Sequence, residues 1–217
     1  MEIAYCYKEE RANAATHAVG LVFTLVGAAV IVEAAIRQGG PWQIWGIVIY
    51  AVTMTATYAA STLSHVFHEP RARHALRVAD QAVIYLFIVG SFSAVGFTWL
   101  REGLWWILHL AMWSVALTGF TYKAIFTHKV RVGTVSSALY LALGWMPVLM
   151  IWPLVQAMPL ALSLWMAGGG LFYTFGIIFF YYDARFRYFH AVWHIMVIAG
   201  SVCHYLGILF YCTMPPA

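Results

Sequence analysis

The chain has 217 residues, 63% of them hydrophobic and 9% charged, with a mean hydropathy of +0.79. Soluble domains carry roughly 25% charged residues, so a soluble globular protein is excluded, and the apolar segments leave no room for a separate soluble domain. The net charge of +4 bears on orientation in a membrane rather than on binding to nucleic acid.

The first residues, Met1 to Glu10, lack the basic-then-apolar order of a cleavable leader, so the first span is expected to stay in the mature protein. A helix needs about 20 apolar residues to cross the hydrocarbon core. Seven stretches qualify, at roughly 12–36, 42–67, 80–100, 103–126, 132–152, 159–182 and 188–212. The breaks between them are Arg37-Gln-Gly-Gly-Pro41, His68 to Ala79, Arg101-Glu102, Thr127 to Arg131, Pro153 to Met158, and Asp183 to Arg187. Only Arg101-Glu102 divides the third stretch from the fourth, and a helical hairpin is expected there because one continuous helix would overshoot the bilayer. The expected fold is all-α, a seven-transmembrane helix bundle forming one membrane domain over residues 1–217.

Seven spans put the N-terminus and the second, fourth and sixth connections on one side. Ten of the twelve Lys and Arg residues fall on that side, leaving only Arg37 and Arg101 on the other. The positive-inside rule therefore places the N-terminus in the cytoplasm and the C-terminus outside. Trp42, Trp45, Trp99, Trp105 and Trp106 gather near the outer connections, as interfacial anchors do. Gly168-Gly-Gly170 reads as a place where helices approach closely. Cys6, Cys203 and Cys212 show no CxxC spacing and read as small structural residues.

With the topology set, the polar residues converge. The seventh span opens with Arg187-Tyr-Phe-His190-Ala-Val-Trp-His194, two histidines four apart on one helix face. Such a pair can offer two imidazole nitrogens to one metal ion. The second span ends at Ser61-Thr-Leu-Ser-His65, the third begins with Arg77-Val-Ala-Asp80, and the first begins with Glu10, Asn13 and His17. All lie at one depth near the cytoplasmic leaflet. His65, His190 and His194 form a three-imidazole set of the kind that binds zinc with one position left open. Asp80, costly in a membrane unless paired or functional, is placed to act as general base, and Ser61 to orient water or a substrate carbonyl. His204 lies ten residues beyond His194, about 15 Å deeper along the helix, and cannot share that metal. His109 is near the outer end of the fourth span, and His68, His74 and His128 read as solvated connection residues.

These residues resemble those of the progestin and adipoQ receptor superfamily, in its bacterial hemolysin-III-related branch. The resemblance runs nearly the full length, through Glu10-Arg-Ala-Asn13-Ala-Ala-Thr16-His17, Ser61-x3-His65, Asp80-Gln-Ala-Val-Ile-Tyr85, His190-x3-His194 and Gly200-Ser-Val-Cys-His204-Tyr205. It implies a seven-helix bundle in the bacterial plasma membrane. It also implies Zn2+ on His65, His190 and His194, with Asp80 reaching the metal through water, Ser61 in the same site, and Glu10, Asn13 and His17 as a polar cluster behind it. The chain departs from the branch at Gln81, where relatives carry histidine, and at Gly90-Ser-Phe-Ser-Ala94, where a proline is missing. Two functional readings stand. One is an intramembrane zinc hydrolase of a lipid amide or ester, a chemistry that animal relatives favour through their link to ceramide hydrolysis. The other is a non-enzymatic, zinc-stabilised sensor, transporter or membrane-homeostasis protein. The expected partner is membrane lipid, and nucleic acid is not expected.

Overall fold

The computed structural model describes residues 7–126 and 133–216. It is helical, with α1 (Tyr7–Gln38), α2 (Pro41–Val66), α3 (Pro70–Trp99), α4 (Trp105–Phe126), α5 (Gly133–Trp145), a 3-10 turn (Met146–Met150), α6 (Ile151–Ala157), α7 (Leu160–Tyr181) and α8 (Phe189–Tyr211). Among the described residues, six helical segments are long and apolar enough to cross a membrane, one of them formed by α5, the 3-10 turn and α6. The seventh rod is α4, equal to α7 at 22 residues. Its hydropathy is lowered by Trp105, Trp106, His109, Trp113 and Lys123, yet about 33 Å of helix is enough to cross. The chain is thus an integral membrane helix bundle, as its composition requires.

Two boundaries differ from expectation. The break expected over His68 to Ala79 shrinks to three residues, because Glu69 caps α3 by accepting from the Arg71 and Ala72 backbone N–H groups. Pro70 then starts the helix at the one turn where its missing N–H costs nothing. The break expected over Pro153 to Met158 is also helical. Pro153 sits in the first turn of α6, where it displaces no intrahelical bond, and the chain turns instead at Met158-Pro159. Pro147, within the 3-10 turn, marks the true interruption of this span. The connection over Thr127 to Arg131, with His128, and Cys6 lie outside the described residues. Lys123, counted with the basic residues of that side, is buried within α4 and donates to Ser136 Oγ at 3.1 Å.

Helices α1, α2, α3, α5, α7 and α8 pack in sequence around a ring that closes where α8 meets α1, and α4 lies against α3 and α5. Helices α2 and α3 run antiparallel, with Thr53 facing Gly90 and Ser64 facing Asp80. The extra turns at the start of α3 therefore project beyond the end of α2. Across the ring, Tyr58 of α2 donates to Ser201 of α8 at 2.9 Å; between ring neighbours, Tyr205 of α8 donates to the Gly27 carbonyl of α1 at 3.1 Å and Tyr140 of α5 to the Gln81 carbonyl of α3 at 2.7 Å. Buried polar groups are costly unless bonded, so these bonds fix which helix faces meet. Helix α3 continues unbroken through Gly90 to Ala94. The aromatic belt is in place at the opposite end from the histidines, where Trp42 packs on Trp106 and Phe97.

Candidate metal centre

The ring geometry brings the last turn of α2 and the first turns of α1 and α8 to one end of the bundle. His65, His190 and His194 meet there, with one ring nitrogen of each within 4.8 Å of the others. Their ring centroids are 4.6 to 5.2 Å apart. His65 and His194 are 5% and 1% exposed, so neither relies on solvent.

What holds each imidazole decides what it can offer. His65 Nδ1 is 2.7 Å from Glu10 Oε2, and His190 Nδ1 is 2.7 Å from Asp183 Oδ2. His194 Nδ1 lies 3.2 Å from the Asn13 carbonyl and 3.0 Å from Thr16 Oγ1. Carboxylates and carbonyls only accept, and the Thr16 hydroxyl directs its hydrogen at the Ala12 and Asn13 carbonyls. Each Nδ1 must therefore carry a proton, so in the neutral ring it is Nε2 that keeps the lone pair. The bonding network assigns the same tautomer three times. His65 Nε2 is buried with no partner. Protonating it would bury an unmatched N–H, so the ring is neutral. Three imidazoles whose ring nitrogens converge, each steadied from behind by an acceptor, are in their neutral form the donor set of a metal site. The set could hold a metal ion.

Glu10 is itself clamped. Its Oε1 is 2.6 Å from Arg73 Nη2 and 3.3 Å from Arg77 Nη2, both on the projecting turns of α3. Nearby, Glu9 of α1 pairs with Arg187 at 2.7 Å. The connection before α8 ends at Tyr188, whose φ of 62° is left-handed. That turn swings Asp183 back over the helix start to reach His190. Such a backbone costs about 1–3 kcal/mol in a non-glycine residue and persists only where its surroundings enforce it.

Asp80 stands outside the imidazole set. It takes the Ser64 hydroxyl at 3.4 Å and also interacts with Ser61 and His190. Asn13 contributes through its backbone rather than its amide, whose oxygen is buried without a partner. His17 bonds to none of the three; it stacks on His194, centroids 3.6 Å apart at 25°, and neither of its ring nitrogens has a partner. Residue types and spacing alone did not reveal Asp183, Thr16, Arg73 or Arg77 as parts of this arrangement. An acid seven residues before His190 was the one available signal, and it sits in a connection whose path only the fold defines. His204 and His109 are distant, as expected: His204 Nε2 bonds the Met166 carbonyl, and His109 Nε2 accepts from Trp113.

A cavity leads away from the centre into the bundle, with about 1230 Å³ of empty space including its open mouth. His190, His194, Asp80 and Ser61 line one part of it, apolar residues such as Ile84, Phe87, Leu141 and Val197 line its walls, and His204 also borders it. No residue of α4 is among its lining.

Comparison with known proteins gives a consistent result. The profile of the family described as "Haemolysin-III related" matches residues 5–205. The chain is 30% identical over 212 residues to "Hemolysin-3 homolog" of Bacillus subtilis, covering 98% of each chain. It is 32% identical over 211 residues to "Hemolysin-3" of Bacillus cereus, covering 97% of this chain and 94% of that one. It is also 30% identical over 220 residues to the human "Monocyte to macrophage differentiation factor", covering 97% and 87%. No solved structure gives a significant match. With the profile spanning nearly the whole chain and the bacterial relatives aligned end to end, this protein belongs to the haemolysin-III-related family.

Proposed function

We propose that this membrane protein is a zinc-dependent hydrolase of a lipid amide or ester. The observation that carries the reading is three imidazoles with converging ring nitrogens, two of them (His190 and His194) lining a largely apolar cavity together with the Asp80 carboxylate. Zn2+, when bound, supplies Lewis acidity that polarises a carbonyl oxygen and makes water more acidic. His65, His190 and His194 hold the ion, and three neutral imidazoles suit zinc, copper, iron or nickel in preference to harder cations. Glu10 and Asp183 keep two of the rings in the metal-binding tautomer and orientation. Asp80 acts as general base toward the attacking water, with Ser64 and Ser61 holding its carboxylate toward the cavity. The apolar walls take the acyl chain and exclude bulk water. The basic residues gathered at the histidine end support a cytoplasmic N-terminus and a site in the cytoplasmic leaflet of a bacterial plasma membrane.

A non-enzymatic reading is favoured by a different observation: the centre joins α2 to α8, and ion pairs tie the first turn of α1 to the start of α3 and to the connection before α8. A metal there would serve as a structural tie. The test is metal content by plasma mass spectrometry, then turnover of a panel of lipid amides and esters. The hydrolase reading expects about one zinc per chain, lost in His190→Ala with His194→Ala, and turnover abolished in Asp80→Asn with zinc retained. Zinc without turnover of any panel lipid supports the structural tie, and a folded wild type purified without chelator and free of metal refutes both readings.

A further inference from the structure

The cavity has a second polar group, away from the metal centre. His204 is 9% exposed, and its Nε2 lies 3.1 Å from the Met166 carbonyl. A carbonyl only accepts, so Nε2 carries the proton and Nδ1 is left as a lone-pair acceptor. That Nδ1 is buried and has no partner. The ring is held firmly. Its Cδ2–Nε2 edge lies so close to Gly169 that any side chain there would collide with it, and Tyr173 packs against the ring at 5.3 Å. This close approach is what the central glycine of the Gly168–Gly170 run provides. Nδ1 thus sits on the ring edge turned away from α7, on a residue that borders the cavity.

A buried acceptor without a donor forfeits its hydrogen bond to water and gets nothing in return. Ten residues of α8 separate His204 from His194, about 15 Å along the axis, the reach of roughly twelve extended methylenes. Val197 and Phe87 are among the apolar residues that line the cavity, while Tyr173, also in its lining, has its hydroxyl engaged by Ser201 between the two histidines. The geometry points to a ligand of matching polarity: an acyl chain with its carboxyl or carbonyl head at the histidine centre and a hydroxyl near mid-chain, donating to His204 Nδ1. The substrate class is a lipid with a mid-chain-hydroxylated acyl group. This rests on the reading of the cavity as an acyl-chain site, and it concerns binding alone, with no step of turnover.

The test is a proximity assay with tritiated stearate on the purified wild-type protein, displaced by unlabelled stearate, 2-hydroxystearate or 12-hydroxystearate. One well-made buried hydrogen bond favours 12-hydroxystearate over stearate by about three- to tenfold, while 2-hydroxystearate, whose hydroxyl falls at the head, gains nothing comparable. In His204→Phe, which keeps an aromatic ring without the acceptor, the preference for 12-hydroxystearate disappears and stearate still binds. His204→Gln, which retains an acceptor, keeps part of it. Equal displacement by stearate and 12-hydroxystearate in the wild type overturns the assignment, marks Nδ1 as a water site, and leaves the acyl-chain reading standing. A preference that survives in folded His204→Phe overturns it as well. Absence of binding by any of the three acids removes the acyl-chain reading and this proposal with it.

Discussion

Glu10→Gln separates a carboxylate that organises the metal centre from one that merely sits in a surface ion pair. Glu10 is 12% exposed and receives His65 Nδ1 at 2.7 Å and Arg73 at 2.6 Å. The substitution preserves size and one acceptor oxygen but removes the charge that holds the His65 tautomer against two guanidinium groups. Loss of such a carboxylate behind a ligating histidine costs about 10–100-fold in metal affinity. Asp183→Asn should fall toward the lower end of that range, because Asp183 and His190 are 28% and 25% exposed and solvent screens their pairing. Glu33→Gln is the control. Its pair with Arg37 is 61% and 73% exposed, and such pairs contribute about 0–1 kcal/mol, so metal affinity should not move. The assay is zinc retention against a graded series of competing chelators, with the folded state monitored by thermal melting. Equal zinc affinity in wild type and a folded Glu10→Gln protein would refute the argument that Glu10 prepares His65 for a metal.

Other outcomes follow from the same structure. His65→Ala should lose zinc much as the double variant of His190 and His194 does, since two remaining nitrogens make a poor site; retention of one zinc per chain would contradict the three-nitrogen set. Gly169→Ala forces a methyl group into the His204 ring, and overpacking of this kind costs about 1–3 kcal/mol; an unchanged melting temperature would show that the α7–α8 contact is looser than described. Pro153→Ala should be close to neutral in thermal melts, because this proline lies in the first turn of α6 and breaks no intrahelical bond. Two backbone N–H groups hold the Glu69 carboxyl below its ordinary value. Its capping contribution is therefore present above the ordinary carboxylate pKa and lost as pH falls through the lowered one. Protection from hydrogen exchange at the start of α3, relative to the intrinsic rate at each pH, should fall on acidification in wild type and be low throughout in Glu69→Ala. An acid-independent protection factor in wild type would exclude the cap.

The sequence made the three histidines legible because helical spacing and alternating span direction act together: one sets the face, the other the depth. Glu10 was legible as a member of a polar cluster but not as the partner of His65. That pairing depends on how α1 and α2 pack side by side, which hydropathy does not encode. Asp183 was hidden for a related reason, since its contact with His190 requires the left-handed turn at Tyr188. The start of α3 was placed ten residues late, because a polar run was read as a loop where Glu69 and Pro70 in fact begin a helix. That error concealed Arg73 and Arg77, which reach Glu10 only because α3 projects past α2. The placement of α4 outside the ring was equally invisible, since an apolar stretch says nothing about which neighbours it keeps.

The ion pair between Glu9 and Arg187 joins residues 178 apart in sequence, and His194 meets Asn13 across a slightly longer gap. During synthesis, His65 and Glu10 are in the membrane long before His190 and His194 are made. Until the last helix inserts, those two early groups satisfy each other, so the half-made bundle does not carry an unpaired carboxylate beside an idle imidazole. Arrival of α8 then completes the centre, the closing ion pair and the ring in one event. A chain stalled before residue 190 would lack two of the three imidazoles, so under the proposed function metal loading would report that α8 has been made.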